Sequence, residues 1–136
     1  MAAIVSVQAA KLLDASLGTA ALTAFSGSAK IRLTTTAPTA TAAGTELAGG
    51  SGYTTGGSVI VFGSATGSPA ATSNTGSAIT WTNGSGGAWS IVGLEIWDSA
   101  GTPLRWWFGS WTGQPISVPI GAVLSVAAGA VAISLG

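Results

Sequence analysis

The sequence has no cysteine and no histidine, and it carries only four basic and four acidic side chains in 136 residues. Each shortage excludes something. Without His or Cys there is no zinc finger, no zincin site, no Ser-His-Asp triad, no thiol nucleophile and no disulfide framework. Charged residues make up 6% of the chain, against about 25% in an average soluble domain. Four scattered cations and a net charge of zero cannot build the basic footprint of a nucleic-acid binder. Disorder is not expected either, because 47% of the residues are hydrophobic and mean hydropathy is +0.58. What is present in quantity is Gly, with 21 residues, together with Ser, Thr and Ala.

The last charge is Arg105, and residues 116–135 are long enough to span a bilayer. Pro115 and Pro119 open that stretch, Gly121 and Gly129 interrupt it, and Val131, Ile133 and Leu135 alternate with Ala132 and Ser134. Alternation is the period of a strand, so no membrane span is expected. The first 18 residues lack a basic region followed by an apolar run, so export by a signal peptide is not expected.

One helix is legible. Val5, Ala9, Leu12, Leu13 and Leu17 recur with the spacing of one apolar face, and Gly18 stands where a C-terminal cap belongs. Strand signals follow. Residues 28–35 alternate Ile31 and Leu33 inward with Lys30 and Arg32 outward. A loop over 35–53 contains Pro38, and after it come a strand at 58–63, a polar Gly/Ser/Thr loop and a strand at 77–82. A turn at 83–87 leads to one long strand over 88–98, with Val92, Leu94 and Ile96 on one face and Trp89, Ile91, Glu95 and Trp97 on the other. A turn at 99–102, a strand at 103–111 and three short closing strands complete the chain. One helix and seven or eight short strands predict an all-β fold, an antiparallel β-sandwich or jelly-roll-like barrel with a short N-terminal α-helix. The organisation reads as a single domain over 1–136, with a helix or arm at 1–18 and the sandwich at 28–136.

No catalytic constellation emerges. Glu95 and Asp98 are three apart at a strand end and should face opposite ways, Asp98 starting a turn and Glu95 solvated or at an interface. No Ser or Thr has an activating neighbour, and the Gly-rich stretches lack the Lys of a phosphate loop. No enzyme activity, metal or cofactor is expected.

All six tryptophans lie between Trp81 and Trp111. Adjacent Trp106 and Trp107 must face opposite sides of their strand. Three readings stand side by side: one set fills the sandwich while the helix covers the other; an outward set forms a subunit interface; or an outward set is a glycan-stacking platform.

The order LLDASLGTAALTAF, AKIRLTTTAPT, GTELAGGSGY, WSIVGLEIWDSAGTPLRWW and GAVLSVAAGAVAISL resembles a family of small virion proteins from tailed bacteriophages of actinobacteria. The resemblance runs from about Lys11 to Leu135 and is most specific at Pro38, the Gly44-Thr45-Glu46 turn, Gly49, Gly50, Tyr53 and the VGLEIWD–PLRWW hairpin. Relatives tend to carry Arg where this chain has Thr55, and fewer Trp in the hairpin. The resemblance implies a non-enzymatic structural protein of the virion, made in the host cytoplasm. Capsid decoration is the favoured role: a homo-oligomer, trimeric by preference, bound to the major capsid protein or other virion proteins, without nucleic acid or membrane. A tail-fibre or tail-tip component is the alternative, and a carbohydrate-binding module for host attachment the competitor. Interface candidates are Trp89, Trp97, Trp106, Trp107, Trp111, Pro38, Glu46 and Tyr53, with the helix and the 35–53 loop reaching for a neighbour.

Overall fold

A computed structural model describes residues 2–22 and 24–135. In chain order the elements are β1 (Ala3–Ile4), α1 (Ser6–Ser16), β2 (Lys30–Thr34), β3 (Ser58–Val59), β4 (Val61–Phe62), β5 (Ala70–Thr75) and β6 (Ile79–Thr82). They continue with β7 (Trp89–Ile91), β8 (Gly93–Trp97), β9 (Arg105–Ser110), β10 (Ile116–Val118), β11 (Val123–Val126) and β12 (Ala132–Leu135). The fold is all-β with one short helix, and every strand ladder is antiparallel.

A five-stranded sheet in the order β1-β9-β8-β2-β3 faces a three-stranded sheet, β12-β5-β4, while β7 pairs with β10 and β6 with β11. The two larger sheets are joined along both edges. At one edge a single ribbon leaves β2 after Val59 and joins β5 from Val61, with the Ile60 N–H donating to Ala29 O at 3.0 Å between them. At the other edge Ala2 bridges to Ile133 in parallel, its N–H donating to Ala132 O at 3.1 Å. These links cover the outer edges of the two larger sheets, which would otherwise template aggregation in so uncharged a chain.

The core is one apolar cluster in which Ile31 and Leu33 of β2 meet Trp81, Trp89, Ile91, Ile96, Leu124 and Val126. Ile31 and Leu33 point inward, as the alternation of β2 requires. The expected long strand over 88–98 is two strands. It breaks at Val92, whose N–H donates to Thr34 O and whose carbonyl accepts from Trp111 N–H. The break shifts the alternation, so Ile91 and Ile96 both enter the core. Trp89 is buried with them while Trp97 is only half-buried, so these two tryptophans do not share a face as expected.

The polar segment around residue 70, read as loop, holds strand β5. It carries no apolar alternation because its hold on the fold is polar: buried Asn74 donates to Ala127 O at 2.9 Å and accepts from Val131 N–H at 2.8 Å. Helix α1 ends as its sequence predicts, Gly18 taking φ +71 just beyond it. Its orientation is the surprise. The residues turned inward are Val5, at its N-cap, and Gln8, 3% exposed, whereas Leu13 and Leu17 are 59% and 69% exposed.

Candidate functional site

The outer face of the five-stranded sheet is where the two ion pairs and two tryptophans gather, with the hydroxyl of Tyr53, a member of the core cluster, reaching Glu46 beside them. Antiparallel register sets Arg32 of β2 opposite Glu95 of β8, and Glu95 opposite Phe108 of β9. These residues alternate with the inward-facing Ile31, Leu33 and Ile96, so they must lie on the far side of the sheet.

Glu95 is not solvated there. It is buried, and it accepts from Arg105 NH1, the Gly44 N–H and Trp97 Nε1, each at 2.9 Å. Arg105 also donates to Ala42 O at 2.7 Å, so one ion pair ties the loop at residues 42–44 down over the sheet. The physical reason for the burial is the loop itself: it supplies backbone donors that replace the water a carboxylate would otherwise need.

A second carboxylate anchors the other end of the loop. Glu46 Oε1 accepts from Tyr53 Oη at 2.8 Å and from the Gly56 N–H at 2.7 Å, and Oε2 lies 3.5 Å from Arg32 NH1. Tyr53 Oη in turn accepts from the Leu33 N–H at 3.3 Å. Burial, and then the hydrogen bond to Glu46, push the Tyr53 hydroxyl far above its ordinary value of 10.0. The Arg32 guanidinium sits 4.0 Å over the Trp97 ring, so Trp97 joins the two clusters through its face and its N–H.

Asp98 holds the hairpin between β8 and β9, as its turn position predicted. It accepts from the Leu104 N–H at 2.8 Å, the Ala100 N–H at 3.4 Å and Trp106 Nε1 at 3.3 Å. Burial raises its carboxyl, but these donors outweigh it and hold the group below the usual 3.8.

The predicted interface residues divide clearly. Pro38, Tyr53 and Trp89 are buried within the chain's own fold. Glu46, Trp97, Trp106, Trp107 and Trp111 are half-buried. Trp107 turns toward the core and Trp106 away from it, where its ring meets Phe25 at 5.3 Å, as adjacent strand residues must. The 35–53 loop, expected to reach a neighbour, is fastened to its own sheet by Glu95, Arg105 and Glu46 instead.

Sequence reasoning missed Asn83, which is fully buried and donates to Gly87 O and Val118 O. Its place before a Gly-Ser-Gly-Gly turn was the available signal. Among the described residues no three His, Cys, Asp or Glu gather as a metal site, and no helix is long and apolar enough to cross a membrane.

With four charges in two ion pairs and Asp98 buried, Lys11, Asp14 and Lys30 are the remaining charged side chains. Large aliphatic residues are exposed as well, among them Val59, Val61, Ile120 and Val123. Such a surface is suited to burial against protein.

A family model described as podophage GP4 fiber I protein gp80 matches residues 3–134. No curated protein and no solved structure matches the chain.

Proposed function

The chain belongs to the podophage GP4 fiber I protein gp80 family, the phage fibre-like structural proteins of the virion, and on that premise we propose that it is a non-enzymatic part of the tail fibre or tail tip. The family match over residues 3–134 is the observation that carries this reading. The family's description as a fibre protein favours the tail over capsid decoration, the role first expected from the sequence.

The residue chemistry supports a structural role. Glu46, Glu95 and Asp98, the acids nearest to a site, are each committed to holding a loop or turn of their own chain. The scarcity of exposed charge supports work in several copies, side by side or against other virion proteins, where repeated weak contacts add up. A glycan platform has less behind it: the Trp97 face is covered by Arg32 and Trp106 packs on Phe25.

Gold-labelled antibody against this chain, applied to intact virions, tests the assignment. Label at the tail is the expected result, and label spread over the head returns the protein to capsid decoration.

A further inference from the structure

We propose that Asn83 is a latent deamidation site: the fold holds the reaction off while the chain is native and has no place for the product once it forms. Prolonged unfolding at neutral or alkaline pH is thereby made irreversible at one residue.

The sequence supplies the reactants. Asn83 is followed by Gly84, and a glycine has no side chain to shield its backbone nitrogen. In a freed chain that nitrogen attacks Asn83 Cγ. The new C–N bond closes a five-membered succinimide, and the side-chain amide nitrogen leaves as ammonia with the proton that the backbone nitrogen gives up. Water then opens the ring at either carbonyl, leaving aspartate or isoaspartate. The balance is one water consumed and one ammonia released. The chain's other asparagine, Asn74, precedes Thr75, whose branched side chain crowds the attacking nitrogen.

The fold immobilises both reactants. Asn83 is fully buried. Its Nδ2 donates to Gly87 O at 2.9 Å and Val118 O at 2.8 Å, and its Oδ1 accepts from the Ser85 N–H at 2.9 Å and from Ser85 Oγ at 2.6 Å. The Gly84 N–H donates to Ser51 O at 2.7 Å. The side chain cannot swing toward its neighbour's nitrogen without giving up these bonds in a place closed to solvent. The reaction therefore waits for this corner of the fold to open.

The same contacts reject the product. Asn83 stands where the ladder of β6 with β11 gives way to that of β7 with β10. Its own N–H donates to Ala122 O at 2.9 Å, and its carbonyl accepts from the Gly121 N–H at 2.6 Å. Aspartate at this position keeps the Ser85 donors but sets its second oxygen against Gly87 O and Val118 O, two acceptors that have nothing to donate. A carboxylate stranded among acceptors away from water is costly. Isoaspartate lengthens the main chain by one carbon at the corner, where the Ala122 and Gly121 bonds leave no slack.

The test incubates the full-length chain in mildly alkaline buffer, with and without urea above the unfolding midpoint. Peptide mapping by mass spectrometry locates deamidation, and tryptophan fluorescence after dilution measures refolding. In urea the amide-to-acid mass gain should collect at Asn83 and not at Asn74. In the folded chain it should run more than about tenfold slower, because the corner must first open. The refoldable fraction should fall in step with intact Asn83. Gly84→Ala should slow the mass gain several-fold in urea, a comparison that needs no folded state, and Asn83→Asp should fail to fold from the start. Equal rates in the folded and unfolded chain overturn the protection. A deamidated chain that refolds as well as a fresh one, or an Asn83→Asp variant as stable as the wild type, overturns the exclusion of the product. Refolding lost while Asn83 stays intact overturns the claim that this residue makes unfolding irreversible.

Discussion

Arg105 meets Glu95 at 2.9 Å beneath a loop that leaves the two side chains 10% and 2% exposed. The pair does more than neutralise charge. Glu95 also takes the Gly44 N–H and Arg105 also reaches Ala42 O, so an ion pair on neighbouring strands becomes the fastening for a segment 51 residues away. Removing one partner strands the other in a dry place, which typically costs about 3–5 kcal/mol. Glu95→Ala should therefore lower unfolding free energy by that order in urea titrations. Glu95→Met with Arg105→Leu, which removes both charges, should recover much of the loss.

Tyr53 is the chain's only tyrosine, so the rise in absorbance near 295 nm that accompanies phenol ionisation, read over the tryptophan background, reports this one group. Its folded-state ionisation is raised above the ordinary 10.0. A group raised in this way contributes stability that is present below the unfolded value and is lost as pH rises beyond it. Stability should fall above pH 10, and tyrosinate should appear only together with unfolding. Tyr53→Phe should flatten that alkaline limb and cost about 1–2 kcal/mol at neutral pH, since the Leu33 N–H loses its acceptor. Tyrosinate forming smoothly in the folded protein would contradict the buried Glu46–Tyr53 contact.

Asp98 gives the opposite limb. Its carboxyl is held below 3.8, so its contribution is present above that value and lost as pH falls through the lower folded one. Asp98→Asn should make acid unfolding less steep in that range. It should also change the emission of Trp106, whose indole N–H it holds.

Gly93 marks where the loop presses on the sheet. A Cβ there would meet Pro38 Cδ at 2.7 Å, Gly109 O at 2.8 Å and Thr34 Oγ1 at 3.0 Å. Gly93→Ala should destabilise by about 1–3 kcal/mol through overpacking. It should also expose the 35–47 segment to limited proteolysis earlier than in the wild type.

How far these features were legible depends on which force shaped each element. Strand β2 was readable because its inward Ile31 and Leu33 alternate with charged residues. The end of α1 was readable because only Gly suits the φ beyond it. The break at Val92 was not read, although Gly93, a lone glycine inside the strand pattern, was the available sign. Strand β5 was hidden because Asn74 holds it by hydrogen bonds that leave no periodic trace. At the candidate site the sequence offered Glu46, Tyr53 and Trp97 as residues of interest. It could not show that they serve the chain's own loop, because the contacts that hold them to the sheet, the Leu33 N–H on Tyr53 and Arg32 over Trp97, come from another strand. The apolar stripe of α1 was partly legible, but whether it faces inward or outward depends on tertiary contacts at Val5 and Gln8.

The central claim is that this chain is a fibre component of a phage tail. Cryo-electron microscopy of the intact virion, with this fold fitted to the map, tests it most directly. The account predicts density for the sandwich at the tail, in several copies. The fold at regular positions on the head surface, or absent from the particle, would contradict it.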